Sequence, residues 1–358
     1  VRIAYTLEQC WHRVPGGTGV AALEVARELS NMPEVDLVGI AGRHRTPPTK
    51  GFVPPIAIRN LPIGGPWLYE AWTRVKWPLV ESVADDIDIV HSTTIIAPAT
   101  RAPLVVTIHD LAFLRHPEFF TKHGNKIFRR SLDILLSEAS LVLCSSQSTL
   151  NDCVDAGFRR DQLVHVPLGV TTHDISERDR VLVRTSYDLP ERFVLFVGTL
   201  EPRKNLARLM AALESIPDSP PLVIAGMPGW GDHVPTIYYD VRFLGFVPQH
   251  LLPALYEAAT VFAFPSVLEG YGLPVIEAMA HGCAVVTSRG TSTEEVAAGA
   301  AVLVDPLDVD SIASGLIEAL GRHEDLAQAG RVRAAEATWK KTAQTTVAAY
   351  QRVMEMHA

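Results

Sequence analysis

Short, almost unbroken apolar runs alternate with longer helical stretches along most of this 358-residue chain. Runs of Val, Ile and Leu without polar alternation do not suit a sheet with one wet face; they demand cover on both faces. Residues 3–6, 36–41, 87–91, 104–109 and 141–144 read as such strands, with helices over 19–32, 122–137 and 146–156. The pattern pauses after Pro167-Leu168-Gly169-Val170, where residues 171–190 turn polar and charged. It resumes with strands at 193–197, 222–225, 241–244, 261–264 and 284–287, and helices at 205–214, 249–258, 274–281, 308–320, 324–337 and about 341–356. The spacing predicts an α/β protein of two doubly wound Rossmann-like domains, 1–170 and 191–340, joined by a 171–190 linker. In such sheets ligands sit beyond the carboxyl ends of the strands, so a cleft between the domains is the expected site.

Charge narrows the partners. Residues 1–170 hold 17 basic and 17 acidic side chains, whereas 171–358 hold 15 and 23, so the net −8 lies in the second half. No basic domain or stripe suits nucleic acid. Cys10, Cys144, Cys153 and Cys283 form no paired metal spacing, and the 13 histidines show none either. With no apolar run near ~18–20 residues and an N-terminus that reads as a strand, a soluble cytoplasmic protein is expected. Asp85-Asp86-Ile87-Asp88 contains an Asp-x-Asp, read as a solvated turn before a buried strand; a Gly-x-Ser-x-Gly elbow is absent from the sequence.

The most informative segment is 264–280, where Glu269 and Glu277 flank Gly270-Tyr271-Gly272-Leu273-Pro274 across a strand–loop–helix junction. Pro274 suits a first helical turn. Gly270 and Gly272 allow close backbone approach to a ligand, and the amides around Tyr271–Leu273 are placed to donate to hydroxyls. A glycine turn with a solvated Glu and a capping Glu is the plain alternative. Arg203 and Lys204 follow a strand and open a helix, where two cations oppose the helix dipole unless an anion is present. Gly16-Gly17-Thr18-Gly19 is expected as a glycine turn ahead of the first helix. His109 ends a strand, and Phe246 and Val247 follow another; for these, core packing competes with ligand contact.

The Glu269-x7-Glu277 arrangement resembles the signature of retaining, GT-B-fold glycosyltransferases of family 4. Val197-Gly198-Thr199-Leu200-Glu201-Pro202-Arg203-Lys204-Asn205 resembles that family's phosphate loop, and Thr107-Ile108-His109-Asp110-Leu111 its histidine loop. Pro15-Gly16-Gly17-Thr18-Gly19 is similar to its N-terminal glycine loop, and Pro167-Leu168-Gly169-Val170 to the end of its first domain. The resemblance implies sugar transfer from a nucleotide donor without metal. His109, Arg203, Lys204 and Glu269 would be catalytic. Gly17, Thr199, Phe246, Val247, Gly270, Tyr271, Gly272, Leu273 and Glu277 would bind the donor, with Phe246 and Val247 near the base and Glu277 on the ribose. Family members commonly carry arginine directly after the loop glycine; this chain has Thr199 there. The last helix would cross back to complete the first, acceptor-binding domain.

The 109–120 and 198–205 segments look most similar to bacterial mannosyl- and related transferases of surface polysaccharides, which makes GDP-mannose the first donor expected, ahead of UDP- and dTDP-sugars. The acceptor would be a glycan, a lipid-linked sugar or a small natural product. A sugar-nucleotide 2-epimerase of the same architecture and a non-catalytic nucleotide-sugar-binding protein remain as alternatives. Within 113–130, Phe113, Leu114, Phe119, Phe120, Ile127 and Phe128 interleave with Arg115, Lys122, Lys126, Arg129 and Arg130. That stretch reads as an amphipathic helix with a charged face, allowing at most a peripheral contact with an anionic acceptor or the inner membrane face.

Overall fold

A computed structural model describes residues 1–227 and 240–358. Two compact units account for them: Val1–Gly169 with Trp339–Ala358, and Val170–Thr338.

The first unit holds seven parallel strands: β1 (Arg2–Thr6), β2 (Asp36–Gly42), β3 (Ile58–Leu61), β4 (Ile89–Ser92), β5 (Leu104–Ile108), β6 (Ala139–Cys144) and β7 (Leu163–His165). Their order is β3-β2-β1-β4-β5-β6-β7. The winding direction reverses between β1 and β4, where Ile3 pairs with Ile89 and Tyr5 with His91. Ile3, Ala4, Val90, Val105, Val106 and Val142 are fully buried, as a sheet covered on both faces requires. Helix Gly16–Ser30 packs against Trp339–His357, and Pro66–Val75 against Lys122–Glu138. The C-terminal helix is tied to the sheet where the Tyr350 hydroxyl lies 2.6 Å from His91 Nδ1.

The second unit holds six parallel strands: β8 (Val194–Val197), β9 (Leu222–Ala225), β10 (Val241–Gly245), β11 (Val261–Phe264), β12 (Ala284–Ser288) and β13 (Val302–Val304), in the order β10-β9-β8-β11-β12-β13. Its reversal lies between β8 and β11. Val-Leu-Phe-Val and Val-Phe-Ala-Phe there are wholly buried, and Phe264 packs on Phe196 and Phe262 with ring centroids 5.9 and 5.6 Å apart. Both sheets thus have the doubly wound parallel order expected of the sequence.

Three expectations need correction. Residues 171–190 are not a bare linker: helix Glu177–Ser186, capped by Ser176, packs on Leu252–Ala258 within the second unit. Its one buried side chain, Val183, is too little apolar signal to stand out among charges. The glycines at 16–19 do not precede the first helix but form its first turn, since the helix begins at Gly16. Gly19 is needed there because a Cβ would lie 2.7 Å from Pro15 Cβ. Strand β4 begins at Ile89, not 87; Asp88 instead accepts a bond from the Arg2 backbone N–H at 2.8 Å. Asp85 and Asp86 are exposed, with Asp86 at φ 54° in a turn.

Candidate functional site

The reversal between β8 and β11 brings two loops together at the carboxyl ends of neighbouring strands. Gly198 starts the first loop at φ +151°, and a Cβ on it would press Lys204 Cδ and Cε at 3.1 Å. Glycine here lets the lysine stem fold back under its own loop. Arg203 and Lys204 lie in a short 3-10 turn, Pro202–Lys204, not in the helix, which starts at Leu206 after Asn205 in the left-handed region (φ 63°). Asn205 Nδ2 donates to Pro265 O at 2.9 Å and to Pro306 O at 2.5 Å, fastening this loop to the one after β11.

The anion that two such cations require is supplied by the chain. Glu269 Oε1 meets Lys204 Nζ at 3.0 Å and Glu269 Oε2 meets Arg203 Nη1 at 2.8 Å. Arg203 Nε also donates to Glu201 Oε2 at 2.7 Å, and Thr199 Oγ1 donates to Glu201 Oε1 at 2.5 Å. The side chains of Lys204 and Glu269 are only 8% and 10% exposed, so solvent screens them little. Burial opposes charge on Glu269, but Arg203 and Lys204 outweigh it and hold its carboxyl down at about 2. Burial pulls the Lys204 ammonium down while Glu269 pulls it up. The Lys204 ammonium also sits 4.7 Å from the Phe264 ring centroid, a cation–π contact. Glu269 is therefore a carboxylate across the neutral range and no proton donor.

Glu277 lies on helix Leu273–Ala280 in a different environment. Burial raises its carboxyl, and its Oε2 accepts the Tyr256 hydroxyl at 3.0 Å. Between the two glutamates Gly270 is buried, Tyr271 is 6% exposed and Leu273 is 8% exposed. Gly272 has φ +104° and a Cβ there would lie 2.7 Å from Thr293 Cγ2, so that glycine has a structural reason of its own. After β10, Val247 is buried whereas Phe246 is 67% exposed; the core-packing alternative for Phe246 does not hold.

In the first unit His109 follows β5 at the carboxyl end of its sheet and is half-buried. Burial pushes its imidazole toward the neutral form. Gly17 is exposed in the first helical turn. The rings of Phe113, Phe120 and Phe128 pack together with centroids 5.5–6.4 Å apart, and Lys122 and Lys126 point to solvent. Three further residues were given no role from the sequence. Asn205 and Ser292, whose hydroxyl donates to Glu269 O at 2.7 Å, are small polar residues that matter only through distant partners. Glu8, 3% exposed, accepts from the amides of Gly42 at 2.6 Å and Gly65 at 2.5 Å, so one carboxylate joins the turn after β1 to the end of β2 and to the loop after β3. Among the described residues no group of His, Cys, Asp and Glu is arranged to hold a metal ion, and no helix is long and apolar enough to cross a membrane.

Comparison with known proteins bears on the family and the fold. Residues 191–322 match the family "Glycosyl transferases group 1", and residues 15–174 match "Glycosyltransferase Family 4". The chain is 32% identical to O-antigen chain mannosyltransferase B of Escherichia coli over 280 residues, covering 73% of this chain and 74% of that protein. It is 29% identical to D-inositol 3-phosphate glycosyltransferase of Salinispora tropica, covering 96% and 82%. The crystal structure of Anabaena HepE with UDP and glucose superposes with a TM-score of 0.75 at 20% identity, covering 98% of this chain and 99% of that one. With two parallel-sheet units of the GT-B type and matches along both of them, this chain belongs to the family 4 glycosyltransferases.

Proposed function

We propose that the chain moves a hexosyl group, first of all mannose from GDP-mannose, from a nucleotide diphosphate to an acceptor hydroxyl, with retention and without metal. The observation that carries this is the buried Arg203–Lys204–Glu269 cluster at the β8/β11 reversal. In the transfer, the bond between the anomeric carbon and the diphosphate oxygen breaks and its electron pair leaves with the diphosphate. The acceptor oxygen bonds to the anomeric carbon, and its proton passes to the departing diphosphate. Charge therefore develops on the leaving group, and preorganised cations in a dry site stabilise it. Arg203 and Lys204 take that role, with Arg203 standing in for the arginine absent at Thr199.

Glu269, fixed by both cations, aims them and accepts from sugar hydroxyls. The Gly270–Leu273 amides also meet the sugar; Phe246 and Val247 hold the base, and Glu277 the ribose. The first unit receives the acceptor, a glycan, lipid-linked sugar or small natural product, with His109 and Gly17 as its substrate-contacting residues. Support for mannose comes from the E. coli relative's name, and for a nucleotide donor from the UDP and glucose bound to HepE. A peripheral contact with the inner membrane face belongs to the same reading. Exposed Trp67 lies in helix Pro66–Val75 and exposed Trp77 just after it, and that helix packs against Lys122–Glu138, which carries the exposed Lys122, Lys126 and Arg129.

The test is product analysis with GDP-mannose, UDP-glucose and a dTDP-sugar against glycan and lipid-linked acceptors, with and without EDTA. Transfer from GDP-mannose giving an α-linkage at an EDTA-insensitive rate supports the proposal. An inverted linkage, or conversion of the donor sugar without acceptor, contradicts it.

A further inference from the structure

The two carboxylate oxygens of Glu277 stand in different situations. Its helix, Leu273–Ala280, packs against helix Leu252–Ala258, which carries Tyr256. The Tyr256 hydroxyl donates to Glu277 Oε2 at 3.0 Å. Among the described residues no donor meets Glu277 Oε1, and Glu277 is only half-buried. The tyrosine that makes this bond has little freedom of its own. It is 1% exposed. Phe262 of β11 meets its ring in a T-shaped contact, with centroids 5.5 Å apart, and His281 lies nearly parallel to it at 6.2 Å. His281 is fixed in turn. Its Nε2 accepts the His173 backbone N–H at 3.4 Å, which leaves the proton on Nδ1, and Nδ1 donates to Glu277 O at 2.8 Å. The His173 ring stacks on the far side of this pair, 6.3 Å from His281. All of these residues belong to the second unit.

We infer that Tyr256 is a positioning residue for donor binding: by holding Oε2 it aims Oε1 of Glu277 at a ribose hydroxyl, and so sets how sharply the site separates a ribonucleotide from a deoxyribonucleotide. The inference rests on the reading that Glu277 holds the ribose. A carboxylate turns easily about its last torsion, which has broad, two-fold wells. Fixing it at the moment of binding costs affinity, whereas a bond made beforehand within the protein removes that cost. One oxygen is committed to the tyrosine, and the other keeps its lone pairs for the ligand.

The experiment is calorimetric titration of the full chain with GDP and UDP, each beside its 2′-deoxy and 3′-deoxy forms. The wild type is expected to bind the ribonucleotide on the order of tenfold more tightly than the form lacking the accepted hydroxyl, the loss that follows an unmade bond to a charged group. Tyr256→Phe keeps the packed ring and removes only the donor. It is expected to lose most of that preference, by weakening the ribonucleotide while leaving the deoxynucleotide unchanged. Glu277→Ala is expected to lose all of it, and Tyr256→Phe added to Glu277→Ala to change nothing further. Equal weakening of all three forms in Tyr256→Phe, or a preference that survives it while Glu277→Ala abolishes it, overturns the inference and leaves Glu277 on the ribose. A preference that survives Glu277→Ala removes Glu277 from the ribose, and the inference with it.

Discussion

Beside the winding reversal of its first unit the chain gathers neutral groups, Thr6, Gln9, Thr93 and a histidine that burial pushes toward the uncharged form, while the buried carboxylate of Glu8 is taken up by the amides of Gly42 and Gly65. At the same place in the second unit, between β8 and β11, it buries Arg203 and Lys204 against Glu201 and Glu269. One fold therefore presents two chemistries. The uncharged end suits hydroxyls, while the charged end suits an anion that can displace or join Glu269. Net charge points the other way, since the −8 lies in the half that holds the cations. The contrast teaches that distance decides: surface acids beyond ~8–10 Å are screened by salt, whereas contacts of 2.8–3.0 Å inside the protein are not.

The largest effect is expected from removing charge at the second unit. Lys204→Ala and Glu269→Ala should each lower kcat/KM by ~100-fold or more in a transfer assay. Glu269→Gln leaves Lys204 without its carboxylate and Arg203 with Glu201 alone, and should cost about 3–5 kcal/mol of stability by urea denaturation, as broken buried pairs do. The pH dependence follows from the same pair. The folded carboxyl of Glu269, at about 2, lies below its unfolded value of about 4.3. Its stabilisation is therefore complete above the unfolded value and is lost as pH falls through that window. Glu269→Gln should flatten the acid limb of stability there, and an unchanged limb would count against the ion pair.

Smaller effects test the scaffold. Gly272→Ala forces a Cβ into the left-handed region against Thr293, and should cost about 1–3 kcal/mol by thermal unfolding. At the exposed Phe246, alanine should leave stability within ~0.5 kcal/mol while raising donor KM; a normal KM would remove that residue from the base site.

The centres of both sheets were legible because β8 and β11 are unbroken apolar runs and β1 and β5 are mostly apolar, a pattern that two-sided burial explains. The edge strands β3, β7 and β13 were not: Ile-Arg-Asn-Leu, Leu-Val-His and Val-Leu-Val are too short to carry a period. Helix Pro66–Val75 escaped notice as well, because proline and two tryptophans weaken the helical signal in a ten-residue stretch. At the site, residue types could be read but pairings could not. Glu269 lies 65 positions from Lys204, and only the β8–β11 adjacency makes them partners. Glu8 stayed hidden for the same reason, since its amide donors lie 34 and 57 residues away.

Calorimetric titration of GDP, UDP and dTDP into the wild-type chain and into Lys204→Ala tests the central claim most directly. The account expects one nucleoside diphosphate to bind the wild type, and the variant to bind it at least about tenfold more weakly, a difference of about 1.4 kcal/mol. Equal affinity in the two proteins, or heat from none of the three nucleotides, would contradict the assignment of the charged loop pair as the nucleotide site.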